Sequence, residues 1–268
     1  MTVLETLLAE PVIAAGVVAR TGVAVAVGLV GVFPGTTLRV RAAMAILLAG
    51  AALPLAVVHC GPRPLGAWPL VVAGEALVGL GFGLAVAVVL AAASWAGGIL
   101  GSVAGLSWAD DFDPAGDAQA AGMATLCRWL AVGGFVAAGG HLAVVAGFID
   151  GVRSLPIGAA VDGGPAAGIA RLVTTLPGVG LALAVSLALP AVTAVLVFHV
   201  AAAVCLRTIR FVPGQGMLQT LAALVLLGAV AVGADTWGGT FGIVARAQVE
   251  RATALEPLTL PEGDPPGR

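Results

Sequence analysis

Residues 76 to 109 read ALVGLGFGLAVAVVLAAASWAGGILGSVAGLSWA, a run without a single Asp, Glu, Lys or Arg. An α-helix needs about 20 apolar residues to cross the hydrocarbon core of a bilayer. Across the whole chain 60% of the residues are hydrophobic and 10% are charged, whereas about 25% are charged in a typical soluble domain. The sequence therefore predicts a membrane protein.

Other apolar segments flank this run. They cover residues 11–33, 42–62, 129–149, 172–206 and 211–234. A membrane β-barrel would instead alternate apolar and polar residues in segments of about ten residues. The pattern predicts an all-α, polytopic membrane protein with about six apolar segments, several of them broken or hairpin-like.

The runs 76–109 and 172–206 are too long for a single crossing, so each is expected to bend or to form two helices. Glycine pairs and prolines are the residues at which helices kink or break. The expected break points are Gly97 with Gly98 in the first run, and Pro177 and Pro190 in the second.

Charge and side-chain chemistry exclude several classes of protein. The net charge is -2 and no basic run is present, so nucleic acid is not an expected partner. All 12 basic residues are Arg, which removes the phosphate-loop lysine and the Schiff-base lysine. Cys60, Cys127 and Cys205 form no CxxC pair, and no HExxH or GxSxG motif occurs. The sequence therefore predicts neither an enzyme nor a metal or cofactor site.

One acidic stretch stands out between the apolar segments: GLSWADDFDPAGDAQAAGM, residues 105–123. Its aspartates are Asp110, Asp111, Asp113 and Asp117. Clustered carboxylates need water, cations or a specialised cavity, because each costs several kcal/mol in an apolar interior. Gly105 and Gly116 allow sharp turns and Pro114 disfavours helical geometry at the residue before it, so the stretch is predicted to be a loop. It either faces a water-filled lumen or lies outside the membrane.

Glu75 stands at the head of the run 76–109. A carboxylate there is favoured by the helix dipole if the residue lies at the membrane interface. Alternatively it pairs with Arg20, the only charge inside the first apolar segment, since intramembrane charges seek partners. The sequence leaves both interpretations open.

Four blocks of sequence resemble, in order and spacing, the FliR family of flagellar export proteins, called SctT in virulence-associated type III secretion. The blocks are FPGTTLRVRAAMAILLAGAALP (33–54), GEALVGLGFGLAVAVVLAAASWAGGILGSVAGLSWADDFDP (74–114), GGHLAVVAGFIDGVRSLPIG (139–158) and LALPAVTAVLVFHVAAAVCLRTIRFVP (187–213). At Gly98 the family commonly has an acidic residue. Together the blocks span most of the chain.

The resemblance implies a non-enzymatic subunit of the type III (flagellar) export gate, which helps to form and plug a channel for unfolded export substrates. Implied partners are FliP-like and FliQ-like subunits, an FlhB-like protein and the lipid bilayer, in the bacterial inner (cytoplasmic) membrane at the flagellar basal body. Residues 1–240 would form the membrane export-gate domain, and 241–268 a polar, disordered tail.

The resemblance also implies roles for individual residues. The channel plug loop would comprise Gly105, Leu106, Ser107, Trp108, Asp110, Asp111, Phe112, Asp113, Pro114, Gly116 and Asp117, with Trp108 and Phe112 as bulky apolar stoppers. Structural positions would be Glu75, His141, Pro156, Gly158 and Pro190. Pro156 would end a helix, Gly158 would supply a permissive backbone, and His141 is expected to form hydrogen bonds rather than to bind a metal.

A second function remains open from the sequence: a small-solute membrane transporter with discontinuous helices around a midplane site. Inverted repeats would be its signature, and none is visible. Arginines fall on both sides of a six-span arrangement, so the positive-inside rule does not fix the topology.

Overall fold

The computed structural model describes residues 10–32, 35–60, 67–106, 122–159, 165–209 and 214–253. These ranges contain helices and turns and no β-strand, which confirms the all-α prediction. The helices are α1 (Pro11–Val32), α2 (Leu38–His59), α3 (Trp68–Val103), α4 (Gly122–Ala137), α5 (Gly140–Ser154), α6 (Pro165–Ile209) and α7 (Gln215–Thr253).

Five of these helices are long and apolar enough to cross a membrane: α1, α2, α3, α6 and α7. The pair α4 and α5 adds a sixth crossing if the two are counted as one broken span. The predicted number of about six apolar segments is therefore confirmed for the described residues.

The two longest apolar runs are not divided as the sequence predicted. Helix α3 has 36 residues and α6 has 45, and both continue through the glycines and prolines that were expected to interrupt them. Prolines are tolerated in apolar helices where hydroxyl groups and neighbouring helices supply further hydrogen bonds. Within α6, Pro190 removes one backbone hydrogen bond, the one that the carbonyl of Ser186 would otherwise accept.

The break occurs instead in the segment 129–149, which the sequence presented as one span. Helix α4 ends at Ala137, α5 begins at Gly140, and their axes differ by 67°. Gly139, between them, has a φ of 72°, in the left-handed region that glycine adopts without steric cost. A glycine in that conformation ends α4 and redirects the chain.

The C-terminal boundary also differs from the prediction. Helix α7 continues to Thr253, so residues 241–253 of the predicted disordered tail are helical. Phe241, Ala245 and Gln248 are buried, and their spacing of four and three residues continues one helical face past the predicted boundary. Residues 254–268 lie outside the described ranges.

The chain divides into two compact units. The first consists of Met1–Val88, Leu142–Pro177 and Ala245–Arg268, and the second of Val89–His141 and Gly178–Val244.

In the first unit, α1 and α3 approach each other at glycines one turn apart. Gly79 lies against the backbone of Arg20, and a Cβ added at Gly83 would lie 2.9 Å from the carbonyl oxygen of Ala24. Phe82, between these glycines, packs edge-on against Phe148 of α5 with ring centroids 5.4 Å apart. Small residues on α3 therefore bring the helix backbones into contact, as in small-xxx-small packing.

In the second unit, the C-terminal part of α3 packs on α4 by the same means. A Cβ added at Gly97 would lie 2.6 Å from both the Cα of Ala124 and the carbonyl oxygen of Met123, and one at Gly101 would lie 3.4 Å from the Cβ of Met123. No atom lies within 4 Å of the corresponding position at Gly98. Gly97 is thus required for close packing, whereas its neighbour faces open space.

These adjacent glycines form a matched pair for mutagenesis. Gly97→Ala is expected to force α3 and α4 apart at a cost of about 1–3 kcal/mol. Gly98→Ala is expected to be neutral or stabilising by up to about 1 kcal/mol, because alanine favours helix over glycine. The measurement is the thermal unfolding midpoint of each purified variant in detergent, and equal midpoints for the two variants would contradict the described packing.

Candidate functional site

A buried ion pair joins α1 and α3 in the first unit. The Nε of Arg20 donates to Oε2 of Glu75 at 2.5 Å, and the two side chains are 1% and 0% exposed. Of the two interpretations that the sequence left open for Glu75, the structure places the carboxylate inside the helix packing with Arg20 as its partner.

Both charged groups also bind the end of α5 and the turn after it. Nη1 of Arg20 donates to the carbonyl oxygens of Leu155 at 2.9 Å and Gly151 at 3.5 Å. The other oxygen of Glu75, Oε1, accepts a hydrogen bond from the backbone N–H of Gly158 at 2.8 Å. The ion pair therefore connects three parts of the chain that are far apart in sequence.

The turn that receives these bonds has a conformation that its sequence imposes. Leu155 precedes Pro156, which disfavours continuation of helix α5. The N–H of Ala159 donates to the carbonyl of Pro156 at 3.1 Å, and Gly158, third in this β-turn, has a φ of 91°. A positive φ at that position is the requirement of a type II turn and favours glycine. In this conformation the N–H of Gly158 points away from the turn and toward Glu75.

Two further contacts secure the same turn. The N–H of Ile157 donates to Sγ of Cys60, at the end of α2, at 3.0 Å. A Cβ added at Gly16 of α1 would lie 2.6 Å from Cγ2 of Ile157 and 3.3 Å from Cγ of Glu75. The absence of a side chain at residue 16 therefore lets α1 lie directly on both the turn and the carboxylate.

The free energy of this arrangement depends on both charges being present. A carboxylate or guanidinium removed from water costs several kcal/mol, which the counter-charge and further hydrogen bonds offset. Nη2 of Arg20 is buried with no hydrogen-bond partner among the described residues. Glu75 is the only carboxylate that pairs with this guanidinium in the part of the chain that the structure describes. Removing Glu75 would therefore leave the Arg20 charge without a counter-charge there.

Two of the predicted structural residues lie away from the ion pair. His141 is exposed in the first turn of α5, and Pro190 is exposed within α6. Among the described residues no group of three or more His, Cys, Asp or Glu side chains could hold a metal ion.

The predicted plug loop begins at the end of α3. Gly105 has a φ of 68°, its N–H donates to the carbonyl of Ser102 at 3.2 Å, and the N–H of Leu106 donates to that of Gly101 at 2.8 Å. This pair of bonds around a left-handed glycine is a Schellman motif, which satisfies the last carbonyls of a helix and reverses the chain. The remaining plug residues lie outside the described ranges: Ser107, Trp108, Asp110, Asp111, Phe112, Asp113, Pro114, Gly116 and Asp117.

The sequence was compared with those of known proteins. The sequence model of a family described as "Bacterial export proteins, family 1" matches residues 12–241, from the start of α1 far into α7. The chain belongs to this family, the FliR/SctT family. No individual curated protein matches the sequence.

Family membership fixes the general role of this FliR/SctT-family chain. It is a component of the type III secretion and flagellar export apparatus, and its apolar helices make it a membrane protein of that apparatus. The family is a structural part of the apparatus and is not known as an enzyme. Membership favours the export subunit over the solute transporter that the sequence left open.

Only part of the ion-pair site in this FliR/SctT-family chain could be predicted from its sequence. Glu75, Pro156 and Gly158 were singled out, whereas the carbonyls that bind Arg20, the thiol of Cys60 and the close approach of Gly16 were not. A single charge within each of two apolar helices was the available signal, and it identifies the pair without locating the turn.

A double-mutant cycle tests the ion pair of this FliR/SctT-family chain. Arg20→Gln and Glu75→Gln each leave one buried charge and are expected to cost about 3–5 kcal/mol. The double variant leaves neither charge and is expected to cost much less than the sum of the two. The measurement is the yield and thermal midpoint of assembled complex.

The exposed pair Arg153 and Asp150 of α5 supplies the control. Its Nη1–Oδ1 distance is 3.2 Å and the side chains are 57% and 66% exposed, so Arg153→Gln and Asp150→Asn are each expected to cost less than about 1 kcal/mol. Additive losses from the substitutions at Arg20 and Glu75 would count against the buried pair.

Proposed function

We propose that this chain is a non-enzymatic subunit that helps to form and plug the type III export channel through which unfolded substrates leave the cytoplasm. Its membrane is the bacterial inner membrane, its place is the flagellar basal body, and its partners are FliP-like and FliQ-like subunits with an FlhB-like protein. The support is the family match over residues 12–241.

The observation that carries the plugging role is the acidic stretch between α3 and α4. Residues 107–121 connect two apolar helices, yet Asp110, Asp111, Asp113 and Asp117 lie within them. Carboxylates at this density are stable in water and not against lipid. A water-filled channel lumen supplies that environment.

The same stretch carries the bulk that a plug needs. Trp108 and Phe112 are its large apolar side chains, and they act as stoppers. Mutual repulsion of the neighbouring carboxylates keeps the plug easy to displace when a substrate arrives.

The described end of α3 supports this role by giving the loop a fixed origin. The Schellman motif ends the helix at Gly105 and turns the chain out of the helix axis. The side chain of Gln219, on α7, packs on the same glycine, since a Cβ there would lie 3.4 Å from its Nε2. An alanine at residue 105 would strain the cap and press on Gln219.

Deleting residues 109–118 tests the plug. The deletion removes Phe112 and the four aspartates and leaves α3 and α4 intact, so the assembled gate is expected to form and to leak. The measurement is the passage of small ions and solutes across membranes that contain the complete gate, together with the yield of assembled complex.

A variant in which the four aspartates of this stretch become asparagine serves as the control. It keeps the length and the bulk of Trp108 and Phe112, so it is expected to stay closed. An assembled gate that remains impermeable after the deletion would refute the plugging role.

A further inference from the structure

The acidic stretch between α3 and α4 leaves and rejoins the helices at one place in the second unit. At its start, the N–H of Leu106 donates to the carbonyl of Gly101 at 2.8 Å. At its end, Met123 of α4 packs on the same residue, since a Cβ added at Gly101 would lie 3.4 Å from the Cβ of Met123. The chain therefore begins and ends the stretch beside a single turn of α3.

The two ends of the stretch are held in different ways. At the returning end, a Cβ on Gly97 would lie 2.6 Å from backbone atoms of Met123 and Ala124, so α4 is held by backbone packing. At the starting end, the three atoms nearest to the Cβ position of Gly105 all belong to the side chain of Gln219: Nε2 at 3.4 Å, Cγ at 3.7 Å and Cδ at 3.8 Å. Side chains change rotamer far faster than packed helices move, so the starting end is the one that can be released.

The contact between Gln219 and Gly105 is one of packing. Gln219 is half-buried near the start of α7, and its carboxamide makes no hydrogen bond to the described part of the chain. The N–H of Gly105 is already bonded to the carbonyl of Ser102. A packing contact between a few atoms is individually weak, so this contact can break and re-form without disturbing the hydrogen bonds that end α3.

We propose that Gln219 is a latch for the acidic stretch: its side chain holds Gly105 against α7 while the channel is closed, and it separates from Gly105 when the stretch moves aside for a substrate. Glycine changes backbone conformation at the least steric cost, so the chain can pivot at residue 105 once the side chain has left. The latch depends on the plugging role proposed above, and it assigns the control of that plug to α7.

The first test is the substitution Gln219→Ala in the complete gate. It removes the atoms that cover Gly105, and the leak of small ions is expected to rise by about fivefold, the shift that loss of one side-chain contact produces in a two-state equilibrium. The yield of assembled complex is expected to stay unchanged. Thr220→Ala is the matched control, because Thr220 is the next residue of α7, is exposed, and donates its hydroxyl only to the carbonyl of Gly216 in its own helix at 2.9 Å. It is expected to leave the gate closed.

A reversible cross-link is the second test. The Cβ position of Gly105 lies 3.7 Å from Cγ of Gln219, which is close enough for a disulfide after a small shift. In the double variant Gly105→Cys with Gln219→Cys, oxidation is expected to lower substrate export by about tenfold or more, because the closed state can no longer be left. Reductant is expected to restore export, and no leak is expected in the oxidised form.

The two single-cysteine variants are the controls for the cross-link. Gly105→Cys carries the strain of a side chain at a positive φ, and both variants retain the three cysteines of the chain. Each is expected to export at the same rate with oxidant and with reductant. If Gly105→Cys does not assemble, Gln219→Ala decides the matter, because it leaves residue 105 unchanged.

Deletion of residues 109–118, measured in parallel, separates the latch from the plug. A leak from the deletion with none from Gln219→Ala would refute the latch and leave the plugging role standing, whereas no leak from either would refute both. Equal export by the oxidised and reduced double variant, with the disulfide formed, would also overturn the latch. So would a loss of assembled complex in Gln219→Ala, which would assign Gln219 to helix packing alone.

Discussion

A charge within packed apolar helices is costly unless a counter-charge and hydrogen bonds offset the loss of water, and Arg20 and Glu75 are each other's counter-charge. The guanidinium binds carbonyls at the end of α5, while the carboxylate binds the N–H of Gly158. Four elements meet at this point, because α2 adds the thiol of Cys60. Loss of either charge would leave the other buried at a cost of several kcal/mol, so the position of the turn depends on the pair.

Small residues make this arrangement possible. Gly16 lets α1 lie on the turn, and Gly79 lets α3 lie on the backbone of Arg20, so the ion pair forms between helices that are already in contact. Gly97 and Gly101 perform the same function for α3 and α4 in the second unit. The 39 glycines of the chain therefore include positions where any side chain would separate two helices, and others, such as Gly98, where a side chain meets nothing.

The features that follow from local chemistry could be predicted from the sequence. Apolar segments predicted the helices, Pro156 with Gly158 predicted the turn after α5, and the charges at Arg20 and Glu75 made their pairing one of two interpretations.

The features that depend on tertiary contacts could not be predicted from the sequence. The continuity of α3 through Gly97 reflects its packing on Ala124, and the helical start of the predicted tail reflects the burial of Phe241, neither of which is visible in a single sequence. Trp129 to Ile149 was long enough for one span, yet nothing in its composition specified a left-handed Gly139.

As a member of the FliR/SctT family, the chain is a component of a secretion apparatus. Its buried Arg20 and half-buried Arg128 differ in their hydrogen-bond partners. Arg20 is paired with Glu75 inside the first unit. Arg128 donates to the hydroxyl of Ser94, and it has no carboxylate partner among the described residues.

The central claim is that Glu75 and Arg20 hold the turn at residues 155–158 against α1 and α3. Amide hydrogen exchange over residues 151–159 in the assembled complex tests this most directly, with residues 42–52 of α2 as the internal reference. Slow exchange is expected in the unmodified chain, and exchange faster by about tenfold or more is expected in Glu75→Ala, because the acceptor of the Gly158 N–H is lost and local opening becomes easier. Equal exchange of the turn in both proteins, with the reference unchanged, would contradict it.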